Sequence, residues 1–302
     1  MSPIIIKVLE PIGFESNDWI EELEKKFPVQ IDILDTRGFN DEKLIPYIKE
    51  ADALILTNRP LSKKVLESAS NLKFISVAFT GTDHIDKETT QKQHILVKNA
   101  AGYSTHSVSE LVIGSVLQLY RKIAESSLSL SQKDSHPFPL GLELFNKRVG
   151  IIGNGTIGKA TGNLFEAFGC LVSYYSRNSK NLEEILKNSD IISLHLPLTQ
   201  ETRHFINKKR LSLMNPNAIL INTARGAIVD LEALVSALTH KKLAGASLDV
   251  FDIEPPLPHD HLLLEVPNLL LTPHIGYRTK EAILRKADFA LNNLKNWIIN
   301  LI

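Results

Sequence analysis

A glycine-rich loop between an apolar run and a helical pattern is the feature that most constrains how this chain can fold. The loop "GNGTIG" (Gly153 to Gly158) follows "RVGII" and precedes "TIGKATGNLFEAF". G-x-G-x-x-G alone arises by chance, but between a strand and a helix it indicates a sheet that binds a dinucleotide, because its backbone can approach a pyrophosphate. A purely structural strand-turn-helix is the alternative. The predicted pyrophosphate contacts are Gly153, Asn154, Gly155, Thr156, Ile157 and Gly158.

Short apolar runs alternate with helical patterns along most of the chain. The first series of predicted strands is Ile4 to Leu9, Val29 to Leu34, Ala53 to Thr57, Lys73 to Phe79 and His94 to Asn99. The second series is Arg148 to Gly153, Leu171 to Ser176, Asp190 to Leu196, Ala218 to Ala224, Gly245 to Val250 and Asn268 to His274. This alternation predicts an α/β protein with two doubly wound parallel sheets of the Rossmann-like or flavodoxin-like type.

The two series are joined by a long helical pattern, Ser104 to Glu125, in which Ser107 and Glu110 have the spacing of a capping box. A stretch rich in serine and proline, Ser127 to Lys147, follows and is predicted to be a loop. The last helical pattern, Thr279 to Ile302, is predicted to pack back on the first series. We therefore expect a substrate domain of residues 1–99 plus 279–302 and a dinucleotide-binding domain of residues 100–278.

Composition narrows the class of partner. Lys plus Arg and Asp plus Glu are 34 each, so no overall charge recruits nucleic acid or an anionic membrane, and we expect a small-molecule partner. The chain has no apolar run near the roughly 18 residues that span a bilayer and no signal-peptide pattern at its N-terminus. These features predict a cytoplasmic protein.

Cysteine and histidine raise two further possibilities, a nucleophilic thiol and a metal site, and the sequence disfavours both. The single cysteine, Cys170, excludes an internal disulfide and is most simply a small buried apolar residue, with a nucleophile as the alternative. No metal site is expected. The closest candidate cluster, His259 to His261, lies in a proline-rich loop without a matching third group of ligands.

The segment after the second strand of the glycine-loop series lacks an expected acid. NAD sites usually carry an Asp or Glu about twenty residues after the first glycine, where it accepts hydrogen bonds from the ribose diol. Here the chain reads "SYYSRNS", so Ser176, Arg177 and Asn178 offer donors instead. A guanidinium matches a 2′-phosphate in charge and shape, which predicts that NADP(H) is preferred and NAD(H) is possible. Alternatively, Arg177 is solvated or stacks on the adenine.

Three polar side chains follow strands of the second series. Arg225, Glu254 and His274 come after three predicted strands whose carboxyl ends share one edge of the sheet, where such sheets bind ligands. A structural Arg225–Glu254 ion pair and a hydrogen-bonded loop histidine are the alternatives.

The chain resembles the D-isomer-specific 2-hydroxyacid dehydrogenases over nearly its whole length. The resemblance rests on "VAFTGTDHID", "NAAGYSTHSVSE", "VGIIGNGTIGKATG", "SLHLPLTQETRHFIN", "LINTARGAIVDLEAL", "GASLDVFDIEPPL" and "NLLLTPHIGY". It implies two similar α/β domains with the active site in the cleft between them. It also implies hydride transfer between NAD(P)H and a small 2-keto acid or D-2-hydroxy acid, and a homodimer whose contact includes the loop from Ser127 to Leu144.

The resemblance also implies residue roles. His274 is the general acid and base, Glu254 its partner, and Arg225 the group that binds the substrate carboxylate and carbonyl. Substrate contacts are implied for Phe79, Thr80, Gly81 and Tyr103. Contacts with the nicotinamide amide are implied for Ala224 and Asp249, and with the adenosine half for His195, Leu196 and Pro197. Thr223 and Gly276 are further implied cofactor contacts.

Within the family the sequence is nearest in type to NADPH-dependent glyoxylate and hydroxypyruvate reductases. The glutamate at Glu254 argues against formate oxidation, because the family's formate dehydrogenases carry glutamine there. NAD-dependent phosphoglycerate oxidation is an alternative, for which Arg59 and His84 are available cations. An alternative of another class is a nucleotide-sensing scaffold similar to the C-terminal binding protein corepressors.

Overall fold

The computed structural model describes residues 2–13, 18–132, 140–253 and 256–301. The chain forms two compact units, Met1–Ser104 with Thr279–Ile302 (unit 1) and Thr105–Arg278 (unit 2). Each unit contains one parallel sheet flanked by helices, which confirms the predicted fold class. Among the described residues, no helix is both long and apolar enough to cross a membrane.

Every predicted strand overlaps a strand of the structure. The strands are β1 Ile4–Val8, β2 Val29–Ile33, β3 Ala53–Leu56, β4 Phe74–Val77, β5 Leu96–Asn99, β6 Arg148–Ile152, β7 Leu171–Tyr175, β8 Ile191–Leu194, β9 Ile219–Asn222, β10 Gly245–Leu248 and β11 Leu269–Leu271. The helices are α1 Asp18–Lys26, α2 Asp41–Ile48, α3 Lys63–Ser68, α4 Lys87–Lys92, α5 Thr105–Arg121, α6 Ile123–Ser131, α7 Thr156–Ala167, α8 Leu182–Asn188, α9 Lys208–Leu211, α10 Leu231–Thr239 and α11 Lys280–Leu301.

Both sheets reverse their strand order beside their first strand. The strand order is β2-β1-β3-β4-β5 in unit 1 and β11-β10-β9-β8-β6-β7 in unit 2. In unit 2, Ile152 at the end of β6 is in register with Tyr175 on one side and Leu194 on the other. The carboxyl ends of β6, β7 and β8 therefore meet, and such a switch point is where doubly wound sheets bind ligands.

Helix α11 packs on the sheet of unit 1, as its apolar pattern predicts. Leu294 is fully buried in the same core as Ile6 and Phe74. The Phe74 and Trp297 rings stack at 5.0 Å, and the Ser76 hydroxyl donates a hydrogen bond to the carbonyl of Ala290 at 2.9 Å. The last helix thus completes the core formed by the first strands.

The segment that joins the two series differs from the prediction. Helix α5 begins at Thr105, so Ser107 lies inside the helix and the predicted capping box with Glu110 is wrong. The helix ends at Arg121 because Lys122 adopts a left-handed conformation with φ 52°. A separate helix, α6, then extends to Ser131, into the stretch predicted to be a loop.

Replacing Leu294 by alanine is expected to destabilise unit 1 by about 2–5 kcal/mol, because the deletion leaves a cavity in a closed core. Leu284 on the same helix is 50% exposed, so Leu284→Ala is the matched control and should change stability by less than about 0.5 kcal/mol. Both tryptophans of the chain, Trp19 and Trp297, lie in unit 1. Urea unfolding followed by tryptophan fluorescence therefore measures the effect, and equal losses for the two variants would contradict this packing.

Candidate functional site

The glycine loop forms an open cradle at the end of β6. Gly153 has φ 112°, and a Cβ there would lie 2.4 Å from the carbonyl oxygen of His195. A Cβ at Gly158 would lie 2.0 Å from the carbonyl oxygen of Gly153, so both positions require glycine. Gly155 precedes α7 without a side-chain cap. Among the described residues, none beyond its own chain neighbours and helix comes within 4 Å of where its Cβ would be.

This arrangement fits the pyrophosphate of a dinucleotide. The first N–H groups of a helix have no partner within the helix and carry the positive end of its dipole. In α7 they belong to Thr156, Ile157 and Gly158, beside the exposed Asn154. An anion is the natural partner for such a helix start.

Gly162 is another close approach in the same site, and the sequence pattern did not single it out. A Cβ there would lie 2.0 Å from the hydroxyl oxygen of Tyr174 on β7. Its spacing of four residues from Gly158, which puts both on one face of α7, could have revealed it. These glycines let α7 lie directly on β6 and β7.

A tight turn follows β7 and presents the residues predicted to recognise the ribose. The Ser179 N–H donates to the Ser176 carbonyl at 2.9 Å, and the Ser179 hydroxyl accepts from the Ser176 N–H at 3.0 Å. Arg177 and Asn178 occupy the exposed tip. The Tyr175 carbonyl accepts the Gly153 N–H at 2.9 Å, so the turn adjoins the glycine loop.

His195 stands at the end of β8 beside that loop. Its N–H donates to the Ile152 carbonyl at 2.8 Å, and its Nε2 lies 2.9 Å from the Ser193 hydroxyl oxygen. Burial lowers the pKa of His195 to about 4, so the imidazole is neutral near pH 7. The partly buried Leu196 and exposed Pro197 follow on the predicted adenosine side.

Asn222, which is 1% exposed, organises the loop that carries Arg225. Its side chain accepts the Ala224 N–H at 3.0 Å and donates to the Arg225 carbonyl at 2.9 Å. The Arg225 guanidinium donates to the Ala224 carbonyl at 2.7 Å. The hydroxyl of Thr223 is buried and has no hydrogen-bond partner among the described residues, as expected of a group that meets a ligand.

Asp249 holds the loop that carries His274. Its carboxylate accepts the Thr272 hydroxyl at 2.7 Å and the N–H groups of Ile275 and Gly276 at 2.8 Å each. Burial raises the pKa of this carboxyl group above its usual value, although these hydrogen bonds oppose the shift. The loop needs such support because His274 has φ 53°, in the left-handed region. The predicted contact of Asp249 with the nicotinamide stays a prediction.

The predicted catalytic side chains of Arg225 and His274 follow strands that end at the same edge of the sheet. Arg225 follows β9 and His274 follows β11, with β10 between them. The ring of His274 meets the edge of Tyr277, with their centroids 5.5 Å apart. Glu254 lies outside the described residues.

The predicted substrate contacts of unit 1 cluster at the ends of β4 and β5. The rings of Phe79 and Tyr103 lie 6.0 Å apart. Asn99 donates to the Thr80 carbonyl at 2.7 Å, and the hydroxyl of Thr80 is buried without a hydrogen-bond partner among the described residues. The partly exposed Gly81 follows directly.

Two other candidates, Arg59 and Cys170, have structural explanations. The guanidinium of Arg59 is buried and donates to the carbonyls of Thr36 at 3.1 Å and Phe39 at 2.6 Å, which disfavours it as a phosphate ligand. The Cys170 thiol is buried and donates to the Leu144 carbonyl at 3.1 Å, and burial raises its pKa. The described part of the chain contains no group of three His, Cys, Asp or Glu residues that could hold a metal ion.

Comparison with known proteins agrees with this geometry. Residues 113–276 match the family model of the D-isomer specific 2-hydroxyacid dehydrogenase NAD binding domain. The chain is 40% identical over 272 residues to a glyoxylate reductase of Thermofilum pendens, covering 84% of this chain and 80% of that protein. It is 37% identical over 293 residues to a D-3-phosphoglycerate dehydrogenase of Methanocaldococcus jannaschii, covering 92% of this chain and 54% of that protein.

Among solved structures, the chain is similar to an acyclic imino acid reductase, Bsp5, in complex with NADPH and D-Arg. The TM-score is 0.89 at 29% identity, covering 98% of this chain and 97% of that one. The similarity therefore extends over both units of the fold.

The neutral His195 is expected to make the protein less stable in acid. Its pKa of about 4 lies below the usual value near 6.5, so between these values the unfolded state binds more protons. The contribution of His195 to the free energy of unfolding is fully present above about pH 6.5. It is lost as the pH falls toward 4, by about 3 kcal/mol in all.

In His195→Gln the difference in unfolding free energy between pH 7 and pH 4 should therefore be about 3 kcal/mol smaller than in the wild type. Urea unfolding followed by far-UV circular dichroism measures it. His240→Gln, at an exposed histidine of the same unit, is the control and should keep the wild-type dependence. An unchanged dependence in His195→Gln would rule out this histidine as the source.

Proposed function

Because the chain belongs to the D-isomer-specific 2-hydroxyacid dehydrogenases, oxidoreductases that act on CH–OH groups, we propose that it reduces a small 2-keto acid to the D-2-hydroxy acid with NADPH. One observation carries the proposal. The carboxyl edge of the sheet in unit 2 carries an uncapped helix start at Gly155. It also carries the loops of Arg225 and His274, which are held by the buried Asn222 and Asp249. The same edge therefore carries a helix start suited to an anion, a permanent cation and a histidine.

The residues present fit the cofactor. The N–H groups at the start of α7 would hold its pyrophosphate, and the hydroxyl of Thr223 and carbonyl of Ala224 would meet the nicotinamide amide. His195 to Pro197 would line the adenosine half, and Ser176 to Asn178 would meet the ribose. When bound, the cofactor supplies the hydride that reduces the substrate carbonyl carbon.

Protein groups would bind the substrate carboxylate and protonate the carbonyl oxygen. Arg225 would bind the substrate carboxylate and polarise the carbonyl, a task suited to a forked cation that stays charged. In unit 1, the N–H groups of Thr80 and Gly81 are proposed substrate contacts on the strength of the family resemblance. Reduction leaves negative charge on the carbonyl oxygen, to which His274 would donate its proton, and in the oxidative direction His274 would accept it.

Two carboxylates would support His274 in different ways. Glu254 would accept a hydrogen bond from the other imidazole nitrogen and stabilise the protonated ring. Asp249 would fix the ring indirectly, because it accepts hydrogen bonds from the Thr272 hydroxyl before His274 and from the Ile275 N–H after it. We infer that these two carboxylates together keep the His274 ring in place while it gains and loses its proton.

The choice of NADPH rests on the turn after β7, which offers Arg177 and no acid. Oxidation of 3-phosphoglycerate with NAD is a second candidate, favoured by the similarity to the M. jannaschii enzyme. It needs cations for the substrate phosphate, and Arg59 already donates to carbonyls of its own unit. Reduction of a small unphosphorylated 2-keto acid is therefore the better supported function.

His274→Gln is expected to lower kcat by about a hundredfold to ten-thousandfold, because it removes the proton donor. The Kd for NADPH, measured by quenching of nucleotide fluorescence, should stay within about twofold of the wild type, since the pyrophosphate cradle is intact. His240→Gln is the matched control and should retain full turnover. Wild-type turnover in His274→Gln would remove the assignment.

We further propose that the chain forms a homodimer whose contact includes the segment Ser127 to Leu144, of which residues 133–139 lie outside the described residues. Helix α6 buries no residue against its own chain. Leucines along this surface are largely exposed, with 69% of Leu130 and 99% of Leu140 accessible. An apolar surface of this kind is typical of a protein interface.

The double variant Leu130→Glu, Leu140→Glu is expected to be monomeric in multi-angle light scattering, while the wild type is dimeric. Buried like charges would oppose association at such a surface. Leu284→Glu places the same charge at an exposed leucine of α11 and should leave the dimer intact. A dimer that survives the double variant would exclude this surface.

A further inference from the structure

A carboxylate from another loop of unit 2 pairs with the arginine in the turn after β7. The Nη2 of Arg177 lies 3.1 Å from the Oε2 of Glu201, which comes 24 residues later in the loop after β8. Both side chains are largely exposed, 79% and 74%. The arginine expected to recognise a 2′-phosphate is therefore already paired with an acid.

Hydrogen bonds within the two loops hold the backbone from which each member of the pair projects. On one side, the Ser176–Ser179 turn fixes the backbone of Arg177. On the other, the Thr202 hydroxyl donates to the Pro197 carbonyl at 2.6 Å and accepts the Thr199 N–H at 2.7 Å. Glu201 projects from this second closed turn, so each charge stands on a supported backbone.

We propose that Glu201 is a selectivity residue that restrains the preference for NADPH. Its carboxylate neutralises Arg177 when no phosphate is bound. A 2′-phosphate must displace this carboxylate and then remain close to it, whereas a ribose with a free 2′-hydroxyl carries no charge to be repelled. Glu201 thus weakens NADPH binding and leaves NADH binding nearly unchanged. The inference rests on the proposed role of Arg177 as the phosphate ligand.

The expected effect is modest because the pair is exposed. Exposed ion pairs change an equilibrium by about fivefold at most, so Glu201→Gln should tighten NADPH by about twofold to fivefold. Arg177→Ala removes a charge-assisted contact and should weaken NADPH by at least about tenfold. In the Arg177→Ala background, Glu201→Gln should change NADPH affinity less, because Glu201 then has no guanidinium to pair with.

The experiment measures Kd for NADPH and for NADH by fluorescence titration of four proteins: wild type, Glu201→Gln, Arg177→Ala and the double variant. Glu232→Gln is the matched control, because it removes the same charge from an exposed glutamate in the first turn of α10 in unit 2. Repeating the titrations at about 1 M salt, where the Debye length is about 3 Å, should shrink the effect of Glu201→Gln.

The outcomes distinguish the role of Arg177 as phosphate ligand from the role of Glu201 in selectivity. Tighter NADPH binding in Glu201→Gln, with NADH and the Glu232→Gln control unchanged, supports the proposal. If Arg177→Ala weakens NADPH selectively but Glu201→Gln leaves it unchanged or weaker, the selectivity role of Glu201 fails and the phosphate role of Arg177 stands. Equal effects of Arg177→Ala on both nucleotides would overturn the role of Arg177, and with it this inference. A loss confined to NADH in Glu201→Gln would make the glutamate a ribose ligand and contradict the proposal.

Discussion

The close approach of three backbone segments around Gly153 is the constraint on which the rest of unit 2 depends. A side chain at Gly153 would meet the His195 carbonyl at 2.4 Å, and one at Gly158 would meet the Gly153 carbonyl at 2.0 Å. Because neither is present, β6, α7 and the end of β8 can close on one another. The start of α7 is thereby left uncapped at the switch point of the sheet, where its free N–H groups can meet an anion.

At the carboxyl edge of this sheet, some residues hold the loops in place and different residues are available for chemistry. Asn222 and Asp249 are buried. Asn222 makes two hydrogen bonds to the loop after its own strand, β9, and Asp249 binds the loop after the neighbouring strand, β11. Arg225 and His274 stand on those loops. Rigid support of this kind is what a catalytic group requires, because a small displacement of an acid or a cation costs much of its effect.

Sequence periodicity was sufficient for the sheets, since buried parallel strands read as short apolar runs and each predicted strand is present. It was insufficient where local backbone geometry decides, as at Lys122, whose left-handed conformation ends α5 and starts a new helix. The glycine loop and the positions of Arg225 and His274 at one edge were predictable from strand order. The Arg177–Glu201 pair was not, because it joins two loops that are distant in the chain and meet only when β7 and β8 flank β6.

The most direct test of the central claim is steady-state kcat/KM with NADPH and with NADH on glyoxylate, hydroxypyruvate, pyruvate, bulkier 2-keto acids and phosphohydroxypyruvate. The account predicts turnover of a small unphosphorylated 2-keto acid, a D-configured product where the product is chiral, and a higher kcat/KM with NADPH. No turnover of any 2-keto acid with either nucleotide would contradict it and favour a nucleotide-sensing scaffold on the same fold.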